Sequence, residues 1–390
     1  VLKKIIKKMT TPEQRVKINR VLRKMMSFKH KENYYRPYKE IVDKDSDVFF
    51  GYYDINQFSG NNIAFLKVKN NKCKIFVRKN DGDELYIDST NAWCWQQGCR
   101  LRWHPSKENT LMWNDFDGYK YYTRTKNIYT GNEEIIEYPF YDISKNGYYG
   151  LAIDFGRLGY MRPGYGYTNL PNRDEDAYGG IVLVNMNTFI VESFVSYNDI
   201  LSLIPQKLDP KICYLNHLLF NPSGNKFLFF FLTKERIHKA RLFVYDIDKS
   251  ELKLLENEYS VSHYCWINDD EIIATAYDEN RDCKYYLYKK DACRKILMPD
   301  KLTVDGHPTI ISKDIMITDT YPNNEGFQKV LKVDFNENNI DVIADLYSTA
   351  KYLGERRTDL HPRVDLENKR VAIDSNVNGR RKVCILERCF

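Results

Sequence analysis

The chain has 390 residues, 43% hydrophobic and 14% aromatic, with 30 Tyr and 20 Phe, so it carries a large core biased toward strand formers. Its longest uninterrupted apolar run, Phe227 to Leu232, is six residues, far short of the ~20 that a membrane-spanning helix needs. The net charge of +6 divides unevenly: residues 1–33 hold +9 and the remainder −3, and a mildly acidic body argues against a nucleic-acid groove.

At the N-terminus, Leu2, Ile5, Ile6 and Met9 recur at helical spacing between Lys3, Lys4, Lys7 and Lys8. Thr11, Pro12 and Gln14 then supply a cap, a first-turn proline and a capping-box partner for a second helix, with Ile18, Val21, Leu22 and Met25 on its apolar face. Residues 1–33 therefore read as a basic amphipathic helical arm suited to an anionic membrane surface, the plainer alternative being a solvated or partner-bound arm. The charges are mixed among the apolar residues and no cleavage site follows, unlike a secretory signal. The expected location is cytoplasmic, peripheral on the inner face of the membrane.

From residue 47 onward one theme repeats: a strand, a polar turn and a second, more apolar strand. Its copies are Gly51 to Leu66, Cys99 to Trp113, Tyr138 to Asp154, His217 to Leu232, His263 to Tyr277, His307 to Tyr321 and His361 to Ser375. Further strand-like runs after each copy bring the unit to about four strands, which is the pattern of propeller blades. The fold class expected is all-β, a seven-bladed β-propeller over residues 34–390 with a short N-terminal basic α-helical extension over 1–33. The last copy is one strand short, and Lys39 to Asp43 is expected to supply it and close the ring. The nine scattered cysteines read as reduced core residues, and Cys94 and Cys99 alone make a poor zinc site.

Aligning the copies on the large residue before each turn brings Tyr53, Trp103, Tyr141, Phe220, Trp266, Ile310 and Val364 into register. Three residues earlier stand Phe50, Arg100, Tyr138, His217, His263, His307 and His361. Four consecutive blades thus put histidine at one level of the channel, near one mouth. The strand directions place both long insertions, 155–179 and 195–213, on that side. Residues 156–180 lack clear periodicity and read as a functional loop. Arg157, Tyr160, Arg162, Tyr165 and Tyr167, with Arg100 in the channel, are the expected substrate-binding groups, since guanidinium forks suit carboxylates and tyrosine faces suit sugar rings. The alternative is a Tyr-rich loop packed on its own blade. Neutral histidines suit a divalent metal, or a general base if titrating near neutrality. They equally suit satisfaction of channel-lining groups. No nucleophile elbow, Walker A loop or HExxH is present.

The repeats resemble those of TolB-type propellers, whose blades also run His, two residues, an aromatic and a Ser-Pro-Asp-Gly-like turn. Within that group the histidines resemble those of oligogalacturonate lyases, propeller enzymes that cleave uronate-containing sugars by β-elimination with manganese and a histidine base. That family's final blade carries Arg-Gln-x-x-His-x-His. The present segment, Arg357-Thr-Asp-Leu-His361-Pro-Arg363, matches the Arg and the first His but neither the Gln nor the second His. The resemblance implies manganese on His307 and His361, with His217 a further candidate, and a base at His263. Arg357 or Arg363 would neutralise the substrate carboxylate, and Tyr138 or Tyr165 would assist the leaving oxygen. The competing expectation is a non-catalytic propeller that binds a glycan or partner during capsule or O-antigen assembly at the membrane.

Overall fold

The second strand of each repeat reads as an apolar run instead of an alternating one because both of its faces are covered. In the computed structural model, which describes residues 32–171, 179–234, 239–289 and 293–390, these strands lie inside a ring of sheets, each with a neighbouring sheet on either side. Lys226–Thr233 is buried at seven of its eight positions, and Thr110–Phe116 at six of seven. Outer strands such as Glu84–Thr90 and Arg294–Leu297 are far more exposed.

Seven antiparallel sheets form the blades. In chain order they span Asp47–Thr90, Arg102–Ile136, Phe140–Ser196, Cys213–Glu256, Ser260–Leu297, Thr309–Tyr347 and Arg363–Leu386. The expected seven-bladed propeller is what the chain forms. Closure is by strand Tyr38–Ile41, which pairs antiparallel with Lys382–Leu386 and sets Tyr38 opposite Leu386 and Ile41 opposite Val383. The ring is thus held shut by backbone hydrogen bonds between the two ends of the chain. Asn33–Tyr34 adds a fifth strand to blade 6 by pairing with Asn339–Tyr347, an addition the repeat pattern does not foretell. The helical arm expected at the N-terminus falls, up to residue 31, outside the described residues.

The insertion after Ala152 is partly helical, which corrects the expectation of an irregular loop. Helix α1, Phe155–Met161, starts at Asp154, whose carboxylate accepts the Arg157 N–H at 2.9 Å. Helix α2, Tyr197–Ser202, opens the second insertion with a Ser196/Asp199 capping box. The glycines that obscure periodicity here serve close packing: a Cβ on Gly159 would lie 2.3 Å from the Tyr167 carbonyl oxygen, and one on Gly166 2.4 Å from that of Phe155. All nine cysteines are free, Cys293 alone being exposed. Among the described residues no helix is long and apolar enough to cross a membrane.

Candidate active site in the propeller channel

The shared register of the channel residues is visible in the backbone. Arg100, His217 and His361 occupy the same position in blades 2, 4 and 7 and adopt φ of +55°, +55° and +46°. Non-glycine residues in this region carry strain of roughly 1–3 kcal/mol each. Bulges accompany it, between Asn216 and Leu219 and between Val261 and His263, where an extra residue re-aims the side chain toward the axis.

A bulge also changes the reading of blade 3. The ladder shifts between Phe140 and Asp142, so Tyr141 enters the channel and its hydroxyl accepts the His217 backbone N–H at 2.9 Å. Tyr138 packs against Phe140 instead, with ring centroids 6.3 Å apart, in the cluster of Met112 and Ile136. In blade 1 the channel residues are Tyr52 and Tyr53, and not Phe50. Their rings stand within 6.4 Å of all four histidine rings and plug the axis.

The four histidines form the expected arc, but a layer below the mouth: His217 and His361 are 0% exposed, His307 1% and His263 2%. Ring centroids are 4.0 Å apart for His263 and His307 and 4.4 Å for His307 and His361. Each ring is anchored differently. The Nδ1 of His307 lies 2.8 Å from Asp319 Oδ1, that of His361 2.8 Å from the Gly51 carbonyl oxygen, and that of His263 3.1 Å from Asp305 Oδ1. Since carbonyl and carboxylate oxygens only accept, Nδ1 carries the proton in the neutral form of each ring, and in that form Nε2 offers a lone pair. The Nε2 atoms of His307 and His361 are buried without a hydrogen-bond partner. Asp359 stands beside them, its Oδ2 3.9 Å from His361 Nε2. One ligand atom from each of His307, Asp359 and His361 falls within a 4.8 Å cluster.

His217 is arranged otherwise. Its Nε2 contacts the Tyr53 hydroxyl at 3.1 Å, Nδ1 has no partner, and the ring stacks on Tyr264 at 4.3 Å. It stands apart from the three-residue ligand cluster.

Above the arc, Tyr165 is the cover. It is 2% exposed, meets Tyr52 edge-on at 6.2 Å and accepts a hydrogen bond from Arg357 at its hydroxyl. The Arg162 guanidinium lies 4.2 Å over the same ring. Gln96 holds the cover down: its backbone N–H donates to Gly164, and its side chain to the carbonyls of Glu355 and Arg357, all at 3.0 Å. Arg357 and Arg162 thus meet at the Tyr165 ring, which packs on Tyr52 beside the histidines.

Five other expected site residues are placed elsewhere, Tyr138 being the first. Arg363 is fully buried, bonding Gln57, the His361 carbonyl and Asp374 at 2.7–2.8 Å. Arg157 donates to the carbonyls of Pro210, Lys211 and Cys213 and ties the two insertions together. Tyr167 stacks on Phe155 in the core, and Tyr160 is 53% exposed beside Lys234. Arg100 does line the channel, but its fork is spent on Asp54, at 2.8 and 3.2 Å.

Sequence reasoning missed Tyr52, Asp305, Asp319, Tyr321 and Asp359. A signal existed for two of them, because Asp305-Gly-His307 and Asp359-Leu-His361 share a D-x-H spacing. Tyr321 adds a ring 5.6 Å from His307 and 6.0 Å from His263.

Charge in the cluster follows from burial and its partners. Burial pushes the pKa of His217 and His361 well below the ordinary value, and neighbouring cations add to it. For His263, burial and His307 outweigh Asp305 and the pKa is lowered. For His307, burial acts downward but Asp319 prevails and the pKa is raised. Burial would raise Asp305, yet His263 and the hydroxyls of Ser262 and Thr275 hold it below the usual carboxylate range. Burial keeps Tyr52 and Tyr321 as phenols.

Fold and site together define a seven-bladed propeller with a buried His/Asp/His group under an Arg/Tyr cover. Its fold is similar to that of oligogalacturonate-lyase propellers. An oligogalacturonate lyase in complex with manganese superposes with a TM-score of 0.66 at 13% identity, over 92% of this chain and 98% of that one. The oligogalacturonate lyase of Vibrio parahaemolyticus gives 0.65 at 12%, over 92% and 98%. The propeller domain of the Trilobed protease from Pyrococcus furiosus gives 0.54 at 11%, over 88% and 96%. No protein-family model and no curated protein matches the chain in sequence. At such identities the likeness is one of fold.

Proposed function

We propose that this chain is a divalent-metal-dependent lyase acting on an acidic, uronate-containing oligosaccharide. One observation carries the reading: two histidines of adjacent blades, their Nδ1–H groups fixed by Asp319 and the Gly51 carbonyl, turn unpartnered Nε2 atoms toward the Asp359 carboxylate. Outer partners that fix tautomer and ring orientation are the usual company of metal-bound histidine. Two imidazoles and a carboxylate suit a first-row divalent ion and leave coordination positions for substrate. The manganese in the structurally similar lyase supports the same choice.

Asp359 stands in for ligands that the lyase pattern would place at Thr358 and Arg363. His307, Asp359 and His361 would hold the ion, and His217 is left out. When bound, the ion would act as a Lewis acid on the uronate carboxylate. Arg162 and Arg357, whose Nε also donates to Asp359 Oδ2 at 2.8 Å, would neutralise that carboxylate from the cover side. His263, neutral and anchored by Asp305, would take the C5 proton at Nε2 as the C4–C5 double bond forms and the C4–O bond breaks. A phenol, Tyr165 or Tyr321, would protonate the departing oxygen. The substrate would enter by displacing Tyr165 from Arg357.

The test is incubation with trigalacturonate and manganese, following the ultraviolet absorbance of unsaturated ends. Absorbance that grows with wild type and is lost in His263→Ala supports the reading, whereas a metal-loaded enzyme giving none overturns it. The deep burial of all four histidines favours a second reading, a non-catalytic glycan-binding propeller in surface-polysaccharide assembly, held to an anionic membrane by residues 1–33. It predicts retained oligosaccharide affinity without turnover and binding to phosphatidylglycerol vesicles that is lost on removing the arm.

A further inference from the structure

The channel has a second mouth, and it too holds a cavity. Beyond the tyrosine plug, at the turn ends of the inner strands, a cavity of about 560 Å³ takes its walls from blades 1 to 6. This lies within the ~300–1,000 Å³ range of small-molecule sites. Its floor includes Tyr53, whose hydroxyl reaches back to His217, so the plug is a wall shared with the histidine site.

Its surface is of a particular kind. Trp103 and Trp266 stand on blades 2 and 5, three blades apart in a ring of seven, on opposite sides of the axis. Phe58 and Phe220 lie between them around the wall. Both indole N–H groups are already used: Trp103 Nε1 donates to the Gln57 carbonyl at 3.0 Å and Trp266 Nε1 to the Leu219 carbonyl at 3.2 Å. These bonds fix the ring planes and leave faces, not donors, for a ligand.

The main charges in the wall are likewise matched within the protein. Arg102 meets Asp142 at 2.7 Å and the Tyr141 carbonyl at 2.6 Å, while the other Asp142 oxygen accepts the Phe220 N–H at 2.9 Å. Asp54 is held by both terminal nitrogens of Arg100. No surplus guanidinium or carboxylate awaits an ionic partner in this pair-lined wall, but the oxygens of Asp142 keep lone pairs that a hydroxyl can use.

We infer that this mouth binds an uncharged sugar, taken between the Trp103 and Trp266 faces, with ring C–H groups on the indoles and hydroxyls toward Arg102 and Asp142. A proline-rich peptide, the other common occupant of aromatic clefts, fits less well. Such grooves pair their aromatic faces with donors to the peptide carbonyls, and both indole donors are already engaged. An acidic sugar would find only the exposed Lys145 as a cationic partner, the other charges of the wall being paired within the protein. The site is therefore distinct in chemistry from the one under Tyr165, and its test does not depend on any lyase activity.

The full chain would be titrated with cellobiose, maltose and diacetylchitobiose, following tryptophan fluorescence and calorimetry, alongside trigalacturonate and a proline-rich decapeptide. At least one neutral disaccharide should bind. Trp103→Ala and Trp266→Ala should each weaken it about tenfold or more, Tyr160→Ala on the opposite face should leave it unchanged, and the milder Trp266→Phe guards against misfolding. Absence of binding by all three neutral sugars, binding indifferent to both tryptophans, or preference for trigalacturonate or the peptide at these tryptophans would each overturn the inference.

Discussion

Asp319 holds two histidines of neighbouring blades at once. Its Oδ1 accepts from the His307 ring at 2.8 Å and from the His307 backbone N–H at 2.7 Å, and its Oδ2 accepts the His361 backbone N–H at 3.0 Å. One carboxylate therefore sets the tautomer of one candidate ligand and the backbone position of the next. Asp319→Ala should weaken manganese binding about 10–100-fold, read by calorimetry, with a smaller loss for Asp319→Asn. Equal affinity in wild type and Asp319→Ala would show that the carboxylate does not organise the site.

Arg363 reads as functional in sequence and is structural in the fold. Removing one member of a buried, hydrogen-bonded pair costs about 3–5 kcal/mol, and Arg363 pairs with Asp374 with both side chains 0% exposed. Arg363→Ala should lower the urea midpoint by a corresponding amount. An unchanged midpoint would return Arg363 to the list of site residues.

The histidine arc gives stability a definite pH dependence. His217, His263 and His361 have pKa values lowered in the fold, so the unfolded chain takes up their protons first and stability is lost as pH falls below about 6.5. His307 is raised and acts oppositely, adding stability below that pH which is lost as pH rises through its folded value. Three groups against one predict a metal-free melting temperature that falls from pH 7.5 to pH 5. A flat or rising profile over that window would contradict the protonation states assigned here.

Tyr165 is the piece of the cover that touches both Arg357 and Tyr52. Tyr165→Ala should open the histidine layer to solvent, and stopped-flow chelation of bound manganese should run faster than in wild type by about an order of magnitude. Unchanged release would mean that exchange follows another route.

Ring closure depends on the four residues of Tyr38–Ile41. A chain starting at Glu32 should elute as a monodisperse folded species, whereas one starting at residue 42 exposes the Lys382–Leu386 edge and should aggregate on size exclusion. Equal behaviour of the two would show that the ring closes without this strand.

The repeat pattern was legible in sequence because each blade must bury its second strand on both faces, which writes an apolar run at a regular interval. The closing strand was legible from the shortfall of the last repeat, and the histidine register from four copies of one spacing. The roles of single side chains were not. Tyr138 and Tyr141 were separated only by a bulge, Arg363 and Arg357 only by burial, since both bond a buried carboxylate but Arg363 alone is fully enclosed, and Asp319 came to the histidines from the far end of a second strand. Local spacing in the sequence determined which residues share a level in the ring. Only the tertiary structure, by bringing carboxylates and carbonyls from other strands and blades against those residues, decided which nitrogens stay free for chemistry and which charges are consumed in holding the ring together.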